Sequence, residues 1–423
     1  MSPRSVIVAA LAFAALTVAF SGAAAETGFG SDDTFDLRAA MKWTALVSRA
    51  PADSVLFPER WSGTTLWRLR LMATIRPASR VTLELAYEQR LNLTSRDAGL
   101  LGASSFLPSG FPQPYRIKPL EDELVEVDGS MTYSHALDRA LVSFPLGPTD
   151  VTLGRQAVGW GRGVLFSAVD IFAPFTPLQS DTEWRRGVDA ARISAPVTDV
   201  VSLEGVAAFG ETTDESAFAA RCFGYLGGLD AEVVGGRRFE DVFAGASASM
   251  PVLDAELHGE AAVFWTTGPI GDPGVFGEDD VILKAVAGGS YSFDVGKGLY
   301  ILGEYHYSGF GVRETDELSY WLLADGFLAR VLRGDTQILG RHAAALQATY
   351  GIGAPLSWSL LFLTNPTDGS GVAAPGFTWT ATDHVTLSGI LYLPFGAESE
   401  EGRLMSEYGA TPGTGLLTLS FYP

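Results

Sequence analysis

Cysteine is nearly absent, Cys222 being the only one in 423 residues. A single thiol permits no intrachain disulfide, no thiolate zinc cluster and no Cys-x-x-Cys-His haem attachment. Charge is sparse as well: 18% of residues are charged, and 49 Asp and Glu outweigh 29 Lys and Arg for a net charge of −20. That balance argues against nucleic acid as a partner. After Phe20 no window supplies the roughly eighteen consecutive apolar residues that a membrane-crossing helix needs. Catalytic signatures are missing too, with no Gly-x-Ser-x-Gly elbow, His-Glu-x-x-His helix or phosphate-binding glycine loop. Neither an enzymatic activity nor a cofactor is expected.

What is present starts with Arg4, an apolar run from Val6 to Phe20 and the small residues Ser21 to Ala25. This reads as a signal peptide over 1–25, cleaved before Glu26, and no cysteine at the junction offers a lipoprotein anchor. The remainder combines 48 Gly, 11% aromatics and a positive mean hydropathy. Apolar content spread through short alternating segments is what a transmembrane barrel requires, because closing the sheet satisfies the backbone without water.

The decisive pattern is an alternation of period two, with one face of each strand toward lipid and the other toward the lumen. Leu37, Ala39, Met41, Trp43, Ala45 and Val47 alternate with Asp36, Arg38, Lys42 and Thr44. Trp67, Leu69, Leu71, Ala73 and Ile75 alternate with Arg68, Arg70, Thr74 and Arg76; then, after a short turn, Val81, Leu83, Leu85 and Tyr87 alternate with Thr82, Glu84, Ala86 and Glu88. Spacing of two scatters apolar groups around a helical wheel, so these runs are not helices. Such runs predict an all-β transmembrane antiparallel barrel of about 18 strands, within a range of roughly 16 to 20, filling 26–423 with both termini in the periplasm. Short periplasmic turns are expected at 146–150, 196–199, 227–229, 251–254, 294–298, 353–355 and 382–384, and longer outward connections at 48–63, 91–134, 160–186, 266–280, 309–339 and 395–413. Tyr87, Tyr291, Phe293, Tyr305, Tyr307, Tyr350 and Tyr422 are placed at the lipid interface.

Two connections, 266–280 and 395–413, are acidic and read as solvated outer loops, with divalent cations near lipopolysaccharide as a second reading. The connection 160–186 differs, because Phe166, Ile171, Phe172, Pro174, Phe175 and Pro177 would be out of place in a loop surrounded by water. Either it folds inward and narrows the pore, or it packs over the mouth or against a neighbouring subunit. In the first case Arg162, Arg185 and Arg186 with Asp170, Asp181 and Glu183 would set a transverse field across a constriction, as charged rings do in selective channels. Predicted inward faces add a basic early wall, including Lys42, Arg68 and Arg70, and carboxylates elsewhere, including Glu204, Glu256, Glu260 and Glu304. Arg68, Arg70, Glu256 and Glu304 complete the candidate selectivity set. Glu256-x-His258-x-Glu260 and Glu304-x-His306 place imidazole and carboxylate on one strand face, a pattern that can bind zinc. Lumen walls carry such residues in any case, and no metal site is assigned.

The segments Gly154-Arg155-Gln156, Trp160-Gly161, Asp170, Pro174 and Gly187-Val188-Asp189-Ala190-Ala191-Arg192, with Leu137-Asp138-Arg139-Ala140, resemble a group of poorly characterised porin-like barrels. That group is related loosely to alginate-export and capsule-surface-assembly barrels. The terminal strand, with Gly415, Leu417, Leu419 and Phe421 on one face, resembles the signature by which outer-membrane barrels are recognised for assembly, although Tyr422 and Pro423 extend past it. The resemblance implies an outer-membrane barrel of a Gram-negative-type bacterium and no particular substrate. Three roles follow: a channel for diffusion of small solutes or ions, a sheath or export conduit for a periplasmic partner such as a multihaem cytochrome or a polysaccharide-secretion complex, and a barrel enzyme. Barrel enzymes usually have fewer strands, and the first strand begins too soon after cleavage to leave an N-terminal plug, so the channel is preferred. Expected partners are outer-membrane lipid and lipopolysaccharide, the barrel-assembly machinery, and either further copies of the chain or a periplasmic protein.

Overall fold

The computed structural model describes residues 34–95, 106–107, 114–118, 120–266 and 281–423. The expected signal peptide and nearly all of the acidic connection 266–280 lie outside the described residues.

Nineteen strands make one sheet. The first half comprises β1 (Phe35–Arg49), β2 (Trp61–Ala78), β3 (Val81–Thr94), β4 (Glu121–Val127), β5 (Met131–Leu146), β6 (Thr149–Gln156), β7 (Val188–Pro196), β8 (Val201–Ala208) and β9 (Ala217–Leu226). The second comprises β10 (Leu229–Arg238), β11 (Asp241–Val252), β12 (Ala255–Trp265), β13 (Val281–Phe293), β14 (Leu299–Ser308), β15 (His342–Gly351), β16 (Leu356–Asn365), β17 (Ser370–Thr382), β18 (Val385–Phe395) and β19 (Gly413–Phe421). Sequential strands pair antiparallel, except that β3 pairs with β5 rather than β4, and β1 pairs with both β2 and β19, so the sheet closes. Closure leaves no edge with unpaired N–H and C=O groups, which is what permits strands to cross a bilayer.

Eighteen strands form the barrel. The extra one, β4, pairs with Met131–Ala136 of β5, on the side where β6 has already ended after pairing with Ala140–Leu146. All seven expected periplasmic turns fall between paired strands. Three short outward turns, at 209–216, 239–240 and 366–369, escaped the sequence reading, which looked only for long outer connections.

Alternation sorts the faces. Leu203, Val233, Leu257 and Leu283 are exposed on the outer surface, while their neighbours Glu204, Val234, His258 and Lys284 are buried inside. Phe293 and Tyr350 stand exposed beside two of the seven expected short turns, where ring edges suit a lipid interface. Tyr422 corrects the expectation: its parity follows inward-facing Ser420, and its hydroxyl reaches Glu183 in the lumen at 2.7 Å.

The connection 395–413, expected as a solvated outer loop, is instead packed in, with Leu404, Ser406, Tyr408 and Ala410 buried. Residues 309–341 carry two short helices, α1 (Leu318–Leu322) and α2 (Asp325–Leu332), which the strand-based reading missed. Leu318, Trp321 and Phe327 are buried in one apolar cluster with Trp160, Phe172 and the inward residues Val206, Phe243 and Phe264. Charges tie the same connection to the wall: Arg238 of β10 meets Asp335 at 2.6 Å, and Asp241 of β11 pairs with Arg330 and, at 3.1 Å, with Arg333. The connection 396–412 closes beside it through Glu407, which accepts bonds from the Leu339 amide and the Asn365 side chain, both at 2.7 Å. Burial, with nearby Asp368 adding to it, outweighs these bonds and pushes the Glu407 carboxyl up to about 7.

Candidate functional site

Between β6 and β7, residues 157–187 leave the wall and cross the lumen. The motif residues close the neck of this crossing. Arg155 forks onto Asp189, with Nε to Oδ1 at 2.7 Å and Nη2 to Oδ2 at 3.0 Å, and its Nη1 donates to the Leu137 carbonyl at 2.8 Å. Gln156 donates to the Ala190 carbonyl at 3.0 Å, and the Gly187 amide donates to Asp138 at 3.0 Å. Gly154, at φ +109°, has no alternative here, because a side chain would strike the Ala140 carbonyl.

Past the neck the loop runs along an acidic wall. Glu204, Glu232, Glu260 and Glu304 occupy inward positions on β8, β10, β12 and β14, and all four are buried. Trp160 Nε1 donates to Glu204 at 2.8 Å, and the Gly161 amide to Glu232 at 2.9 Å. Glu260 takes the amides of Arg162, Gly163 (2.6 Å), Ala168 (2.6 Å) and Val169 (3.3 Å) and the Ser167 hydroxyl (2.9 Å). Glu304 takes the amides of Val164 (2.6 Å), Leu165 (2.9 Å) and Phe166 (3.0 Å). His258 also reaches Glu304, at 2.8 Å, passing over Gly288 of the intervening strand, where a Cβ would lie 2.5 Å from the imidazole. Arg221 bridges Glu204 and Glu232 at 3.0 and 2.9 Å, and Phe166 stacks on His306 with centroids 5.0 Å apart.

The returning half meets the opposite, basic wall. Lys42, about midway along β1, and Arg68 of β2 each bind Asp181 at 2.8 Å. Lys42 also pairs with Glu183 at 2.5 Å, and Tyr392 donates to the Leu178 carbonyl at 3.1 Å. The Trp184 ring lies against three cations, 4.2 Å from Lys42, 4.9 Å from Arg70 and 5.4 Å from Arg68. Behind it opens a polar cleft lined by Arg68, Arg70, Glu88, Arg90, Asp138, Gln179, Trp184 and Arg186. Arg68 and Arg90 bind Glu88, and Arg70 binds Asp138 at 2.7 Å, while the buried Nε of Arg70 has no acceptor among the described residues. Burial raises the Asp181 carboxyl, but Arg68 and Lys42 more than reverse this and hold it below the usual carboxylate range. Burial and then the like charges of Arg90 and Arg116 bring Arg186 down to about 10, so it remains cationic at neutral pH.

Of the ten candidates, Arg68, Arg70, Asp181, Glu183 and Arg186 converge on the basic side. The others do not form the expected opposed ring. Arg162 pairs with Asp230 at 2.6 Å on the acidic side, and Arg185 pairs with Asp170 inside the loop, which neutralises both locally. Glu304 is committed to loop amides, while Glu256 is exposed near the β11–β12 turn, away from the crossing. Among the described residues no group of three or more His, Cys, Asp or Glu is arranged to hold a metal. Sequence reasoning did not place Glu232, Arg90, Gln179 or Trp184 at the site, and Asp138 entered only through the segments that carry the resemblance. Parity could have found Glu232, which sits inward beside Val234.

No family model matches the chain, and no curated protein matches its sequence. Solved structures do. OccAB1 of Acinetobacter baumannii is 12% identical with a TM-score of 0.54, the match covering 93% of this chain and 97% of that one. A BenF-like porin from Pseudomonas fluorescens Pf-5 is 10% identical with a TM-score of 0.54, covering 93% and 99%. Pseudomonas aeruginosa OccK9 (OpdG) is 10% identical with a TM-score of 0.53, covering 92% and 98%. At these identities the likeness is one of fold, a closed barrel of the porin type. The relation to alginate-export barrels is not supported by these neighbours.

Proposed function

We propose that the chain is an outer-membrane channel through which small solutes or ions diffuse, with the 157–187 crossing as its constriction. One observation carries this reading: the crossing is fastened to both walls of the lumen, by Glu260 and Glu304 on one side and by Lys42 and Arg68 on the other. An 18-stranded barrel is too wide for its own side chains to fill, so an inserted segment decides how much bore remains. Four arginines line the cleft beside Trp184 against Glu88 and Asp138, an excess of positive charge that favours small anions modestly.

Residence among outer-membrane lipid and lipopolysaccharide, and insertion by the barrel-assembly machinery, belong to the same reading. A sheath for a folded periplasmic partner is disfavoured, because that partner would have to displace the crossing. The test is a planar bilayer. Discrete single-channel currents with a reversal potential displaced toward the anion support the proposal; silence from protein whose heat-modifiable gel mobility proves a folded barrel overturns it.

A further inference from the structure

We infer that Glu260 and Glu304 are positioning residues of the channel: each is an internal anionic ligand caged by loop donors, and together they set the width of the constriction from the wall opposite the cleft. This rests on the channel reading and deepens it. Glu260 receives five donors from Arg162 to Val169, and Glu304 receives three from Val164 to Phe166. Loops that wrap successive amides around one point normally do so for a soluble anion. Here the wall supplies the anion itself. The local chain is shaped for it: Gly161 sits at φ +102°, and a side chain there would press on the Glu260 carboxylate.

A packing role alone makes a different forecast. Phe166 on His306, and Ile171 and Phe172 in the apolar cluster, would hold the loop without any carboxylate. If the cage is what holds it, removing the Glu260 carboxylate orphans buried donors, and a small free carboxylate of the right size can occupy the vacancy and restore the loop.

The experiment uses the full mature chain, folded in detergent, as Glu260→Ala, with Glu256→Ala as the control on the same strand. Trypsin cleavage at Arg162 inside the crossing is followed by mass spectrometry, alongside bilayer conductance, with millimolar acetate or equal chloride added. Expected in Glu260→Ala are cleavage about tenfold faster than in the parent and a larger, noisier conductance, both reversed by acetate and not by chloride, with Glu256→Ala unchanged. Parent-like cleavage and conductance in Glu260→Ala, or fast cleavage that acetate does not slow, overturns the inference. Should Glu260→Ala give no heat-modifiable barrel, Glu304→Ala is judged by the same criteria. If the parent conducts nothing, the channel reading fails on its own, and the proteolysis still decides the cage.

Discussion

The two walls of the lumen hold the same loop by different chemistry. On the acidic wall, carboxylates fixed to β12 and β14 accept backbone amides and are buried from solvent. On the basic wall, the loop offers its own carboxylates, Asp181 and Glu183, to Lys42 and Arg68, and Glu183 keeps 39% of its side chain exposed. The part-exposed Lys42–Glu183 pair contributes about 0–1 kcal/mol and weakens with salt over a screening length of about 8 Å at physiological ionic strength, whereas the pairs of Asp181 with Lys42 and Arg68 are largely buried. Caged carboxylates are screened far less. The contrast is one of chemistry, wall carboxylates holding loop amides on one side and wall cations holding loop carboxylates on the other, with Glu183 the contact most open to salt.

Breaking the neck should have the largest effect, because both attachments depend on it. Arg155→Ala strands Asp189 and the Leu137 and Lys118 carbonyls, and a loss of about 3–5 kcal/mol is expected in urea unfolding from lipid vesicles. Next comes the basic wall alone. Arg68→Ala with Arg70→Ala should swing the reversal potential toward cations and leave Asp181 to Lys42 alone, while trypsin cleavage at Arg162 on the acidic side stays slow; accelerated cleavage there would mean that the walls are not independent.

The outer connections offer a pH test of the lid above the crossing. Glu407 titrates at about 7 in the folded protein against an ordinary 4.5, so the folded state keeps a proton that the unfolded chain releases between those values. Docking of 396–412 onto Leu339 and Asn365 is therefore tightest at low pH and weakens as pH rises toward 7. Hydrogen exchange over 396–412, corrected for its intrinsic pH dependence, should quicken between pH 5 and 8 in the parent and stay level in Glu407→Gln. The smallest change belongs to Trp184→Ala, which removes a ring stacked near three cations. The stacking is worth about 0.5–1 kcal/mol, and only a modest rise in conductance is expected.

The barrel was legible because alternation is local. Each strand announces its two faces within ten residues, and every periplasmic turn separates runs such as Leu299 to Tyr307 and Leu356 to Phe362. The apolar residues of 160–186 likewise signalled burial without knowledge of what would bury them. Partners inside the lumen were not legible. Glu260 and Ala168 lie 92 positions apart, and Lys42 and Asp181 139 apart, so their meeting depends on closure and register rather than on spacing. The helices of 309–341 were missed for a related reason: five- and eight-residue helices have little periodicity to read, and tertiary burial of Leu318, Trp321 and Phe327 supplies what propensity does not.

The claim at the centre is that the 157–187 crossing narrows the bore. Single-channel conductance of the chain lacking Phe166 to Pro177, recorded beside the parent in the same bilayer and salt, tests it most directly. The account predicts a clear rise in conductance with weaker ion preference, and an unchanged conductance from a folded deletion barrel would contradict it.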